Sequence, residues 1–337
     1  MKGFMKGETF AFEGGLPNKM RYTPGSAEDV RLYALSIDNK VTGEFRLGKD
    51  FAVDVCKREI RAVPGGDIPD RRRQAYYGHV PFDHEDFPDA YDYGDYVLFA
   101  DYPFECGEEE TDEALARKYA FGNGRDFAGW TDAHRGRKSR MLLFGDSITE
   151  GLDCVRGLRY FERLQAYFAS RGAEVEIVNR AVGGECSRDG LRRLAAVAEE
   201  ESDLTIIAYG MNDQNFHNGA NGIALEEYER NICEIAETLS QKTDNILLVA
   251  PALCNAQWIH RSPNVDSYAE TLSRIARERG YGFAAVTPFW REIQSFGKTD
   301  ACMLANGINH PSPYGHYLYY CVIKALFENN GKRGEGK

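Results

Sequence analysis

Four short stretches of this chain carry residue types that could together run acyl transfer. Ser147 stands in "MLLFGDSITEG" (141–151), directly after an apolar run. Gly184 lies in "NRAVGGECSRDG" (179–190), Asn212 in "GMNDQN" (210–215) and His310 in "NGINHPSPYGH" (306–316). A serine hydroxyl becomes a nucleophile when a neighbouring base takes its proton, and histidine has the pKa for that near neutrality. The tetrahedral intermediate carries a negative charge that fixed donors stabilise. The Ser147 amide at a helix start is one such donor. The Gly184 amide is a second, because a residue without Cβ lets backbone approach closely, and the Asn212 side-chain amide is a third. Plainer readings stand beside these. Ser147 or Asp146 could cap a helix, Gly183-Gly184 could be turn glycines, Asn212 could cap a helix, and His310 before Pro311 could be an exposed loop residue.

The elements around these stretches decide what they can do. From Met141, apolar runs alternate with helical segments: "MLLFG" (141–145), "VEIVN" (175–179), "LTIIAYG" (204–210), "NILLVA" (245–250) and "FAAVT" (283–287). Apolar residues at 3/4 spacing mark the helices. Leu225, Tyr228, Ile232, Ile235 and Leu239 form one stripe, Val265, Tyr268, Leu272 and Ile275 a second, and Tyr314, Tyr317, Leu318, Cys321 and Ala325 a third. This alternation predicts a parallel sheet covered on both faces, with functional groups where strands end and helices begin. Ser147, Gly184 and Asn212 then follow successive strands, and His310 precedes the last helix.

Residues 1–135 have another texture. Short runs such as "GEFRLGKDFAVDV" (43–55) alternate apolar and polar residues between Pro, Gly and Asp clusters, which predicts an antiparallel β-sandwich or jelly roll. "RGRKSR" (135–140) reads as a charged linker, so we expect an accessory domain over 1–135 and a catalytic domain over 136–337.

Composition narrows the partners. The 337 residues are 43% hydrophobic and 28% charged, as in an ordinary globular protein. The net charge of -11 argues against nucleic acid or an anionic membrane surface. No run approaches the 18 apolar residues of a membrane span, and the N-terminal stretch lacks a signal-peptide pattern. The eight cysteines are scattered without metal-ligand spacing, which points to free thiols in a cytoplasmic protein. The acidic loop Asp83–Asp95 lacks the alternation of a calcium site and reads as solvated. No metal and no cofactor are expected.

The four stretches, in order, resemble the blocks of the SGNH, or GDSL, hydrolases over about residues 139–330. Gly145-Asp146-Ser147 matches the nucleophile block, Gly184 and Asn212 the two oxyanion-donor blocks, and His310 in "NHP" the base. The resemblance implies a flavodoxin-like three-layer α/β/α hydrolase with a parallel sheet. One departure stands out: the family's usual Asp, three residues before the His, is Gly307 here, flanked by Asn306. A Ser–His dyad is therefore expected, with no carboxylate on His310 and the ring oriented from the Asn306–Gly307 segment. Some relatives manage in that way, among them two-domain carbohydrate acetylesterases with an N-terminal β-sandwich.

The expected reaction is hydrolysis of a small acyl ester through an acyl-enzyme. O-deacetylation of a carbohydrate is the first choice. A short-chain acyl esterase, lysophospholipase or thioesterase is the alternative, and a catalytically weak carbohydrate-binding protein the third. The partner is then a small-molecule or oligosaccharide ester; a homo-oligomer stays open. Asp146, Trp258 and His260 are candidates for the substrate pocket, with Trp258 placed to stack on a sugar ring.

Overall fold

The computed structural model describes residues 1–87 and 96–328. The N-terminal part holds two antiparallel sheets. Strands β1 (Lys2–Phe10), β3 (Arg31–Leu35), β4 (Val41–Phe45) and β7 (Leu98–Glu105) form one, in the order β1-β7-β3-β4. Strands β2 (Asn18–Lys19), β5 (Phe51–Asp54) and β6 (Glu59–Ala62) form the other, in the order β2-β6-β5. Helix α1 (Asp112–Ala116), strand β8 (Ala120–Phe121) and helix α2 (Phe127–Ala133) follow.

The second sheet system starts earlier than expected. Strand β9 runs Lys138–Gly145, so half of the supposed linker is strand. The hydrogen bond from Arg140 N to Asp203 Oδ2, 2.8 Å, anchors it. Strands β10 (Glu174–Asn179), β11 (Leu204–Ala208), β14 (Ile246–Val249) and β15 (Gly282–Ala284) join β9 in parallel, in the spatial order β10-β9-β11-β14-β15. Numbered by appearance this is 2-1-3-4-5, the flavodoxin-like order. A small hairpin, β12 (Phe216–His217) and β13 (Ala220–Asn221), lies between β11 and β14 in sequence. The fifth run is shorter than predicted: Val286 and Thr287 already begin a helix, because Thr287 Oγ1 donates to Pro251 O at 2.6 Å and closes the strand.

β9 from Met141, β11 and β14 are almost wholly apolar because both faces are covered, whereas β10 at the sheet edge alternates, with Glu174 and Glu176 exposed. Met141 and Leu143 of β9 face one core, with helices α4 (Tyr160–Ser170), α8 (Val286–Ser295) and α10 (Pro313–Glu328). Leu142 and Phe144 face the other, with α5 (Ser187–Val197), α6 (Leu225–Leu239) and α7 (Val265–Arg279). Short helices α3 (Ser147–Glu150) and α9 (Asp300–Met303) lie at the sheet's edge loops. The three predicted stripes are α6, α7 and α10.

A division at residue 135 cuts through the C-terminal layer. β8 pairs antiparallel with β15 and closes the sheet as its sixth strand, and α1 and α2 pack on α10. One buried ion pair between the parts, and a second within the N-terminal part that α10 reaches, tie them further. Lys298 Nζ meets Glu8 Oε1 at 2.7 Å with both side chains fully buried, and Arg21 Nε meets Asp112 Oδ1 at 2.6 Å. Tyr314 of α10 donates to the same Asp112, so its second oxygen is also satisfied. One apolar core runs from β1 through α10.

Candidate active site

Ser147 opens α3 directly after β9. Asp146 caps that helix: its Oδ1 accepts from Ile148 N at 3.0 Å. The turn demands glycine at 145, where a Cβ would stand 2.5 Å from Ala208 O of the neighbouring strand. Asp146 is buried, and this pushes its carboxyl up to about 7, against the lowering effect of the Ile148 hydrogen bond. Its carboxylate serves the turn; expected as a pocket residue, it does not line the cleft.

His310 Nε2 lies 2.9 Å from Ser147 Oγ. Its Nδ1 pairs with Asp153 Oδ2 in a short contact. The expected dyad is thereby corrected: a carboxylate does hold the histidine, and it comes from the loop six residues after the serine. Asp153 sits in the left-handed region at φ +57°, a conformation that Asp tolerates better than most residues. The signal was inside the first stretch, where "GLDC" follows the helix.

Asn306 and Gly307 do not touch the imidazole through their side chains. Asn306 Oδ1 accepts from the backbone N–H groups of Ile308, Asn309 and His310, each at 2.9 Å. One side chain thus winds the whole "NGINH" loop and sets the His310 backbone. Gly307 has φ +66°, and a Cβ there would meet Tyr76 Oη at 2.4 Å. The family's usual Asp has no room at this position.

The donor side is built from the loops after β10 and β11. Gly184 has φ +79° and open space where a Cβ would be. Asn212 Nδ2 donates to Glu185 O at 2.9 Å, which uses one of its two hydrogens and fixes the amide plane. No helix begins at Asn212, so the capping reading falls. Asp213 clamps the two loops together by accepting from Ser187 N at 3.0 and 3.2 Å, and burial raises its carboxyl to about 6.

These groups open onto a cleft of about 370 Å³. Ser147, Gly184, Asn212 and His310 line it together with Trp258. Sequence reasoning missed Leu152, Asn215 and Asn309 in its walls. It also missed His84 and Glu85, which reach in from the N-terminal part. His260 stands behind the wall: buried, with Nε2 3.2 Å from Asp83 Oδ1 and Nδ1 3.2 Å from Phe216 O. Trp258 Nε1 donates to His84 Nδ1 at 3.1 Å. Asp83 and His84, on the segment read as a solvated loop, thus cluster with His260 within 4.8 Å; residues 88–95 of that segment lie outside the described residues.

A serine, a histidine and a carboxylate in hydrogen-bonded sequence, beside backbone and amide donors at the edge of a doubly covered parallel sheet, define a serine hydrolase. The sequence profile of the GDSL-like Lipase/Acylhydrolase family matches residues 143–318, more than half of the chain, and the protein belongs to that family. It is a carboxylic ester hydrolase. Esterase TesA of Pseudomonas aeruginosa is 31% identical over 181 residues, which cover 51% of this chain and 79% of TesA. Among solved structures, Axe2, an acetylxylan esterase from Geobacillus stearothermophilus, is 22% identical, with 57% of this chain and 94% of Axe2 covered and a TM-score of 0.47. A lipase/acylhydrolase from Enterococcus faecalis is 22% identical, with 59% and 100% covered and a TM-score of 0.48. Among the described residues no helix is long and apolar enough to cross a membrane.

Proposed function

We propose that Ser147 is the nucleophile, His310 the general base and then acid, and Asp153 the carboxylate that holds the His310 ring and stabilises its imidazolium. The hydrogen-bonded line Asp153–His310–Ser147, whose serine and histidine line the cleft, carries this reading. Asp153 fixes the tautomer with the proton on Nδ1, which leaves Nε2 free to take the serine proton. Ser147 Oγ attacks the ester carbonyl. The oxyanion lies against the N–H groups of Ser147 and Gly184 and the free Nδ2 hydrogen of Asn212. His310 returns its proton to the leaving alcohol, and water repeats the sequence to release the acid. The third expectation, a weak binding protein, rested on a missing carboxylate and loses that support.

The substrate we favour is an O-acetylated carbohydrate. Asn212, Asn215, His217 and Asn309 offer both donors and acceptors around one indole, Trp258, a combination suited to hydroxyl groups and a sugar face. A short-chain acyl esterase is the second reading, favoured by the 31% identity to Esterase TesA. A fluorophosphonate should label Ser147 in the wild type and leave Ser147→Ala unlabelled; label on another serine would overturn the assignment. Turnover of acetylated xylosides against simple alkyl acetates then separates the two substrate readings.

A further inference from the structure

A second cavity, of about 510 Å³, lies beside the catalytic cleft. One wall is the N-terminal sheet, with Leu35, Ile37, Val97 and Phe99; the other is the loop after α3, with Leu152 and Val155. Ile37 and Leu152 are 49% and 40% exposed, unusual for such large apolar side chains. Leu152 lines both spaces and forms the ridge between them. Asp153 lines the second cavity and not the cleft, whereas Gly184 and Asn212 line the cleft and not the second cavity. Arg159 also borders it, and its Nε is buried with no hydrogen-bond partner.

We propose that this trough is an extension subsite on the alcohol side of the ester, and that it takes an apolar substituent that the alcohol carries beyond the part held at Trp258, with a hydroxyl or carboxylate acceptor for Arg159. The inference rests on the reading of Ser147, His310 and Asp153 given above. The carbonyl oxygen must point to Gly184 and Asn212. The leaving oxygen must lie at His310 Nε2, because that nitrogen hands it a proton. Asp153 stands on the far side of the same ring, so the trough lies on the base's side of the nucleophile. An alcohol leaving over the Leu152 ridge enters a space walled by aliphatic and aromatic side chains. The wall from the N-terminal sheet lies outside the matched residues 143–318, so the subsite belongs to the two parts jointly.

Alkyl acetates test this, since ethanol and hexanol have similar acidity and differ only in apolar length. Below their solubility limits, kcat/KM should rise at least about tenfold from ethyl to hexyl acetate, because each buried methylene contributes about fourfold. Two substitutions away from the catalytic groups probe the wall. Thr42→Glu makes it charged, and Thr42→Trp, at the same exposed lining residue of β4, fills it. Both should leave ethyl acetate turnover unchanged and cut the hexyl advantage to under threefold. A flat wild-type series, or an advantage that survives both variants, would overturn the subsite. If the variants instead alter a series of ethyl esters with lengthening acyl chains, the trough holds the acyl group and the orientation is wrong. Absence of turnover on every ester, p-nitrophenyl acetate included, would overturn the hydrolase reading itself.

Discussion

The two sides of the active site are held by different parts of the molecule. The donor side is self-contained. Gly183 N donates to Glu150 Oε2 at 2.6 Å, Asn212 to Glu185 O, and Ser187 N to Asp213, all within residues 145–213. The acid–base side leans on the N-terminal part. Tyr76 Oη donates to Asn306 O at 2.7 Å, and Thr9 Oγ1 lies 2.8 Å from Ser312 Oγ, so the His310 loop is braced on both flanks. The Asp153 loop is gripped as well: Arg156 N donates to Ile37 O at 2.9 Å, and Val155 packs with Tyr33, Val97 and Phe99. The N-terminal part thus braces the loops that carry His310 and Asp153, a closer relation than an accessory domain on a linker.

Five substitutions break or sharpen this contrast. Ser147→Ala should have the largest effect, a loss of about 10⁴-fold or more in kcat with an unchanged melting temperature. Asp153→Asn keeps the left-handed backbone and removes the charge and the tautomer control; kcat should fall by about 10³–10⁴-fold. A loss under tenfold would return the protein to a dyad. On the donor side, Asn212→Ala should lower kcat by about 10²–10³-fold with little change in KM. A normal kcat with a lower melting temperature would give Asn212 a structural role alone.

Tyr76→Phe asks whether the bracing matters. It leaves Asn306 O buried without its donor, at a cost of about 1–3 kcal/mol. The expected kcat loss is under about tenfold and accompanies a lower melting temperature. Rescue of kcat at low temperature, where the loop stays wound, should follow, and kcat unaltered at every temperature would separate the N-terminal part from the base.

The smallest effect concerns pH and the donor side's buried carboxyls. Burial holds Asp146 at about 7 and Asp213 at about 6, above the value of about 4 for an unfolded carboxylate. Between about pH 4 and 7 the folded chain keeps protons that the unfolded chain has lost, so stability falls as pH rises through that window. Asp146→Asn keeps an oxygen for Ile148 and cannot titrate. Its melting temperature should decline less steeply from pH 5 to 8 than that of the wild type, by a few degrees. Equal slopes would place the Asp146 titration below that range.

Periodicity and strand-edge placement made the catalytic layer legible from sequence. β9 from Met141, β11 and β14 are apolar on both faces because helices cover both, and that leaves a continuous run in the sequence. α6, α7 and α10 show as stripes. β15 was read three residues too far because Ala285 and a helix start of Val and Thr continue the run, and 138–140 was missed because a strand's solvent-side end is charged. Trp258 belongs to the cleft, whereas His260 is one layer behind it; two residues of spacing say nothing of which faces inward in a loop.

Local sequence determined the serine turn, the donor glycine, the Asn of "GMND" and the histidine, because each depends on a strand end and the few residues after it. Only the tertiary structure decided which carboxylate meets His310. Asp153 and His310 are 157 residues apart, and their meeting depends on a loop held in the left-handed region and gripped by the N-terminal sheet. The usual position was closed by Tyr76 packed over Gly307, a contact between segments 231 residues apart, and no local pattern encodes such a contact.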